Sequence, residues 1–187
     1  LDLARSQQLV KEGIADQASL DRLLNLQKQQ SAQLKYQDAL LESMVLLINV
    51  VQNPDGRVLG TRGNAAGFDI NRDFITQSQP ETRATAKLFA EWNPMTVLDL
   101  HGFVNPMLIE PCTPPHNPNY EYDLYIQWAL AEAKAMEAEL FAQTGFAAQI
   151  PFEDSSQGWD DWPPIFAPMY AMYHGAYGHT LETPYRD

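Results

Sequence analysis

Apolar and polar positions fall in long blocks along this chain, and the spacing within each block predicts an element. From about Ala15 to Glu42, Leu20, Leu23, Leu24, Leu34 and Leu41 recur at intervals that suit one buried face of a helix. The Gln- and Lys-rich stretch from Gln27 to Lys35 is the solvated side of the same helix. A shorter amphipathic helix is expected over Leu1 to Glu12, ended by Gly13. Met44 to Val51 (MVLLINVV) is a continuous apolar run and reads as a strand covered on both sides. Asn53-Pro54-Asp55-Gly56 then breaks it as a turn.

Beyond a polar loop from Arg57 to Asp73, Pro80 to Trp92 is predicted helical, with Pro at its start and Glu81 in its first turn. Met95 to Leu100 and Met107 to Glu110 read as buried strands. Pro111 to Asn119 holds four prolines in nine residues and reads as an irregular loop. Tyr120 to Thr144 is an Ala- and Glu-rich scaffold helix stopped by Gly145, with Trp128 and Leu140 expected to face the core. A closing strand follows at about Ala176 to Glu182. Strands alternating with helices predict an α/β fold with a mixed, largely parallel central sheet flanked by helices. One domain is expected over the whole chain.

Composition narrows the function. Across 187 residues, 12 Lys+Arg stand against 24 Asp+Glu, a formal net charge of -12. That balance argues against nucleic acid or a membrane surface as partner, since either needs a basic patch. No stretch approaches the roughly 20 apolar residues of a spanning helix, so a soluble chain is expected. Leu1 to Gly13 has neither a long apolar run nor a small-residue cleavage pattern, so no signal peptide is expected there. The compartment, secreted or cytoplasmic, stays open: Cys112 is the only cysteine, which allows no intrachain disulfide.

Polar chemistry gathers after the predicted strands. In sheets of this kind reactive groups cluster at the carboxyl ends of strands. Val51 leads into Asn53-Pro54-Asp55-Gly56, Leu100 into His101-Gly102, and the last strand into Glu182-Thr183-Pro184. Between the first two lies RGNAAGFDINRDF, from Arg62 to Phe74. Its arginines Arg62 and Arg72, with Asn71, make a plausible anion site: a planar guanidinium matches a carboxylate in a bidentate fashion, and Asn adds a neutral donor.

The series NPDG, RGNAAGFDINRDF, QPET, DLHG and LETP resembles the M14 zinc metallocarboxypeptidases, in order and at reasonable spacing, over Met44 to Glu182. The resemblance implies a zinc-carboxypeptidase-like fold, truncated at both ends, and hydrolysis of a C-terminal peptide bond. It implies His101 as a zinc ligand, Arg62 as the group that polarises the scissile carbonyl, and Asn71 and Arg72 as the clamp on the substrate's terminal carboxylate. Glu182 is implied as the general base. A mobile tyrosine ahead of that base is implied too, with Tyr170, Tyr173 and Tyr177 as candidates and Tyr173 favoured. The same aromatic stretch, with Trp159, Trp162 and Phe166, is expected to set side-chain preference. It suits an apolar residue, while Asp160 and Asp161 would allow a basic one.

The family's first two zinc ligands come from a His-x-x-Glu motif upstream of NPDG. None occurs between Leu1 and Asn53, so two of the three expected protein ligands are not found in this chain. His179-Thr180-Leu181-Glu182 matches the pattern by letter. On an extended strand, however, residues three apart point to opposite faces, so His179 is expected to be structural. Asp99, two residues before His101, shares its face and could orient its ring; an ordinary capping role fits equally. Arg62 and Arg72 could instead be surface partners of Asp69 and Asp73. Two other functions stay open: a zinc deacylase or amidase acting on an acylated amino acid or a cell-wall peptide, and a non-catalytic module that binds peptide C-termini.

Overall fold

The computed structural model describes residues 10, 11, 13, 17–102, 106–111, 120–150 and 164–184. The chain divides into two compact units, residues 1–50 and 51–187. Most of the expected helix at the start of the chain, residues 112–119 of the expected proline loop, and Trp159, Asp160, Asp161 and Trp162 lie outside the described residues.

In the first unit, helix α1 (Gln17–Glu42) forms where periodicity predicts it. Its buried face does not. Leu20 is buried, Leu23 and Leu24 are half-buried, and Leu34 and Leu41 are exposed. Residues 44–51 correct a second expectation, since they form no strand and Val50 is 84% exposed. Apolarity alone does not make a strand; backbone pairing does. Among the described residues no strand pairs with this run.

The second unit holds the sheet. Helix α2 (Pro54–Leu59) replaces the expected turn. Asn53 caps it by accepting from the Gly56 N–H, and Pro54 sits at the first helical position, where its missing N–H costs nothing. A 3-10 turn, Ile70–Arg72, follows, and then helix α3 (Pro80–Trp92). Strands β1 (Thr96–Gly102) and β2 (Met107–Pro111) precede the long helix α4 (Tyr122–Thr144), which Gly145 ends in a left-handed conformation, φ 73°. A two-residue strand β3 (Ala148–Gln149), helix α5 (Ala167–Met172) and strand β4 (Tyr177–Thr183) complete it. Sequence periodicity did not predict β3, which is too short to carry any.

The strand order is β1-β4-β2-β3. The β1–β4 and β2–β3 pairs are parallel and β2–β4 is antiparallel, so the sheet is mixed and mostly parallel. Register assigns side chains to faces. His101 pairs with Glu182 and Asp99 with Thr180, while Leu108 opposes Glu182 and Glu110 opposes Thr180. Directly paired residues share a face. Asp99, His101, Leu108, Glu110, Thr180 and Glu182 therefore lie together on one side.

The other side packs on α4, where Ile109 and Leu181 meet Ala133, Met136 and Leu140. Leu140 thus faces the core as expected. Trp128 does not: it is 63% exposed, while its neighbour Ala129 is fully buried and faces the sheet's aromatic cluster. The helix offers a small residue where backbones approach and turns the large one outward.

On the first side α5 lies against β4. Gly178 makes this possible, because a Cβ there would stand 2.3 Å from the Pro168 carbonyl oxygen. Phe74, Phe89, Ala167, Ala171 and Ala176 form the core between α3, α5 and the loop before β4. Full burial of Phe74 stabilises this corner by about 1.5–3 kcal/mol. Among the described residues no helix is long and apolar enough to cross a membrane.

Candidate active site

Two segments carry the polar groups to the sheet's open face: the arginine loop, residues 61–73, and the ends of β1 and β4. The loop is held by side chains that sequence reasoning did not single out. Asn64 accepts from the Ala66 and Phe68 N–H groups at 3.1 and 3.0 Å and donates to Gln79 Oε1 at 2.9 Å, tying the loop to the start of α3. Asp73 accepts from the Ser78 and Gln79 N–H groups at 3.0 and 2.8 Å, and from the hydroxyls of Ser78 and Thr76. Burial alone would raise its pKa, but those donors hold it far below the usual carboxylate range. Asp73 is therefore a structural hub and not a partner of Arg72. A short polar side chain beside a tight turn is the signal that could have found both residues.

With the loop fixed, Asn71 sits between two elements. Its Oδ1 accepts from the Ala167 N–H at 3.1 Å, and its Nδ2 lies 3.3 Å from His101 Nε2. Arg72 donates to the Asn71 carbonyl at 2.9 Å and lays its guanidinium over the Phe166 ring, 4.4 Å from the centroid. Arg62 donates through Nε to Asp69 Oδ2 at 2.7 Å. The terminal nitrogens of Arg62 have no hydrogen-bond partner among the described residues. Asn53, the cap of α2, donates to the Arg62 carbonyl at 3.0 Å, so the NPDG helix does brace the arginine loop.

His101 Nε2 lies 2.8 Å from Asp99 Oδ2. A carboxylate only accepts, so this bond requires the proton on Nε2. The neutral ring then carries its lone pair on Nδ1, and Asn71 is a neighbour of Nε2 without donating to it. The bond to Asp99 raises the His101 pKa; burial opposes this, the charges of Asp99 and Glu182 add to it, and Arg62 subtracts. Burial likewise raises Glu182, with His101 lowering it, Asp99 raising it and Arg62 lowering it. His101, Asp99, Glu182 and Arg62 thus sense one another's charge. Thr183 joins the two strand ends by donating to the His101 carbonyl at 2.6 Å.

The structure brings five of the six residues singled out from sequence to one region: Arg62, Asn71, Arg72, His101 and Glu182. Tyr173 is not tied to them. It follows α5 as the C-cap, and its ring packs against Tyr120 at 5.8 Å. Tyr170 accepts from Gln77 Nε2 at 2.7 Å within the Phe74 core, and Tyr177 packs on Tyr125. His179 points to the α4 side, away from Glu182, so the letter match to His-x-x-Glu joins residues on opposite faces.

One residue on the same face as His101 and Glu182 went unremarked in the sequence: Glu110, 3% exposed, has no hydrogen-bond partner for either carboxylate oxygen among the described residues. Burial and the charge of Glu182 raise its pKa to about 8, against a lowering by His101. A charged residue inside the apolar run Met107-Leu108-Ile109-Glu110 was the signal.

The fold is that of a metallo-carboxypeptidase. The crystal structure of the metallo-carboxypeptidase from Burkholderia cenocepacia superposes with a TM-score of 0.54 at 24% identity, over 73% of this chain and 35% of that one. In sequence, carboxypeptidase 2 of Trichophyton tonsurans and carboxypeptidase 2 of Trichophyton equinum are each 37% identical over 92 residues, 49% of this chain and 16% of each relative. No family model matches. In sequence the chain resembles these carboxypeptidases over 92 residues, and it spans about a sixth of the length of the curated relatives it matches.

The name of the Burkholderia protein implies a metal, and the residues present can be tested against one. His101 offers a lone pair on Nδ1 with its other nitrogen oriented by a carboxylate, an arrangement common in metal-ligating histidines. A structural or catalytic zinc takes three or four protein donors. Among the described residues no group of three or more His, Cys, Asp or Glu is arranged to hold a metal. The described residues therefore do not by themselves make a metal site.

Proposed function

We infer that this chain is the substrate-clamping and proton-transferring part of a carboxypeptidase that releases the C-terminal residue of a peptide. The observation that carries this reading is the meeting of Arg62, Asn71, Arg72, His101 and Glu182 on one face of a carboxypeptidase-like sheet.

The roles follow from each group's chemistry. Glu182, buried and with its pKa raised, is a better proton acceptor than an ordinary surface carboxylate and takes the proton of the attacking water. Arg62, held through Nε by Asp69, keeps two terminal nitrogens for the oxyanion that forms on the carbonyl. Arg72 uses one N–H on the Asn71 carbonyl and rests on Phe166, so its guanidinium is oriented before a terminal carboxylate arrives. Asn71 stands between that arginine and His101. Zinc is the cofactor the family likeness implies, and among the described residues of the site His101 is the side chain placed to donate to it.

Hydrolysis of N-blocked dipeptides by the purified protein tests the reading. An Arg72→Ala variant should raise KM by about 10–100-fold, the loss expected for a charge-assisted pair. The wild type should discriminate against the same dipeptide with its carboxylate amidated. Equal turnover of acid and amide, or unchanged kinetics in the variant, defeats the clamp. Faster turnover of N-acyl amino acids would make the chain a deacylase, and peptide binding without turnover would make it a recognition module.

A further inference from the structure

Helix α1 is 26 residues long and almost bare. Leu20 is its one buried residue, and every residue from Asn25 to Glu42 is exposed, Leu26, Leu34, Leu40 and Leu41 among them. A helix in a protein draws most of its stability from packing an apolar face, and a continuous row of bare leucines marks an interaction surface. Their spacing says of what kind. Leu20, Leu34 and Leu41 fall on one strict seven-residue interval, with Gln27 in the remaining place. An α-helix drifts by about 20° per heptad, so such a repeat stays on one line only when the helix winds around another. Leu23, Gln30 and Gln37 each follow a member of that series by three residues and complete the seam of a coiled coil.

The other positions of α1 agree. Leu24, Leu26, Ser31, Gln33, Asp38 and Leu40 flank the seam. Seam and flanks together hold all seven leucines of the helix but only one of its six charged residues, Asp38. Asp21, Arg22, Lys28, Lys35 and Glu42 lie on the outer side. Charge then selects the occupant. α1 carries three basic and three acidic side chains and is neutral, whereas the chain as a whole carries -12. Two copies can meet along α1 without the repulsion that their acidic bulk imposes elsewhere. The glutamines select the orientation. In a parallel pair in register each seam Gln meets its own counterpart, and an amide both donates and accepts, so like pairs with like. Asp38 then flanks Gln33 of the second copy, whose amide can donate to it. An antiparallel pair would set Gln30 against Leu34 and leave a polar group unpaired in the seam. Polar seam residues lower stability and fix the register.

We propose that α1 is a homodimerisation helix, and that two copies of this chain associate through a parallel, in-register coiled coil of their Gln17–Glu42 segments. The association uses none of the groups on the open face of the sheet and stands whether or not the chain is a carboxypeptidase.

Sedimentation equilibrium of the full chain tests the dimer. Its mass should approach twice the 21.1 kDa of one copy at about 100 μM. Leu34→Glu with Leu41→Glu sets two charges in the seam and should raise the dissociation constant by about 100-fold or more. Asn25→Glu with Ala32→Glu adds the same charge on the outer side and should change it by less than about threefold. Cross-linking reads the orientation and does not depend on the charged variants keeping their helix. On a Cys112→Ser background, Leu34→Cys places two thiols opposite each other in a parallel pair and should give an interchain disulfide under mild oxidation. Ala32→Cys, on the outer side, should give none. A mass that stays at that of one copy overturns the proposal, as does equal weakening by the two charged pairs. Failure of Leu34→Cys to cross-link in a chain that does dimerise overturns it too.

Discussion

His101 and His179 stand on paired neighbouring strands, and each has its Nε2 against a carboxylate, His101 at 2.8 Å from Asp99 and His179 at 2.9 Å from Glu132. The faces of the sheet make them opposites. On the open face the bond to Asp99 outweighs burial, and the His101 pKa rises. On the α4 face burial outweighs the bond to Glu132, and the His179 pKa falls. His179 is wholly enclosed, and its Nδ1 has no partner among the described residues, whereas His101 keeps part of its surface accessible. A carboxylate partner alone does not decide what a histidine does. How completely the ring is removed from water decides it. One histidine is partly accessible with a lone pair to offer, and the other links sheet and helix.

The largest effect should come from the open face of β4. Glu182→Gln keeps the shape of the side chain and removes its basicity, so kcat should fall by about 10²–10⁴-fold with the melting temperature little changed. His179→Ala, on the same strand but the other face, should do the reverse. It should lower stability by about 2–4 kcal/mol through the cavity and the lost bond to a charged group. Activity per folded molecule should stay near that of the wild type. Chemical denaturation and steady-state kinetics on both variants check the pair. Loss of catalysis in His179→Ala with its stability intact would break the division between the faces.

The same two histidines should also respond oppositely to pH. Because folding depresses the His179 pKa below 6.5, the unfolded chain binds a proton that the folded chain refuses. Its contribution to stability is present above about pH 6.5 and is lost as pH falls below it. Folding raises the His101 pKa, so its contribution is full below about pH 6.5 and is lost as pH rises through the raised value. The stability gap between wild type and His179→Ala should therefore narrow on acidification, by at most about 1.4 kcal/mol per pH unit. The gap for His101→Ala should narrow on alkalinisation. Denaturation midpoints at pH 5.5, 6.5 and 7.5, as chosen conditions around that about 6.5 reference, measure both trends; parallel slopes would refute the contrast.

What could be read from residues alone follows the same line between local and long-range causes. α3, β1, β2 and β4 were legible because caps and apolar strands are local, and α4 because its Ala- and Glu-rich composition and its Gly145 stop are. The proximity of Arg62, Asn71, Arg72 and His101 was legible through ordered motifs, and the face shared by Asp99 and His101 through the two-residue pleat. The run 44–51 failed because it looks like a strand but has no described partner, and pairing is not a local property. Trp128 failed because a largely apolar helix such as α4 gives no periodic hint of which side is inward, and small Ala129 won the close approach. Glu110 was missed because only the β2–β4 register, set between segments some 70 residues apart, brings it beside Glu182.

The smallest effect should come from the rim of the open face. The Arg62–Asp69 pair is short, but the Arg62 side chain is 55% exposed and Asp69 30%. Water and salt screen such a pair, and its net worth is about 0–1 kcal/mol. Asp69→Asn should thus alter stability by less than about 1 kcal/mol, and less again at high salt. The Asp69 Oδ1 bond to the Asn71 N–H is short-range and replaceable by the Asn carbonyl, so the 3-10 turn should survive. Arg62 would then lose the tether that presents its terminal nitrogens. A fall in kcat of a few-fold with KM nearly constant is expected, since the oxyanion exists only in the transition state. A rise in KM at constant kcat would instead place Arg62 with the ground-state clamp beside Arg72, and would shift the boundary between groups that hold the substrate and groups that meet the charge formed during reaction.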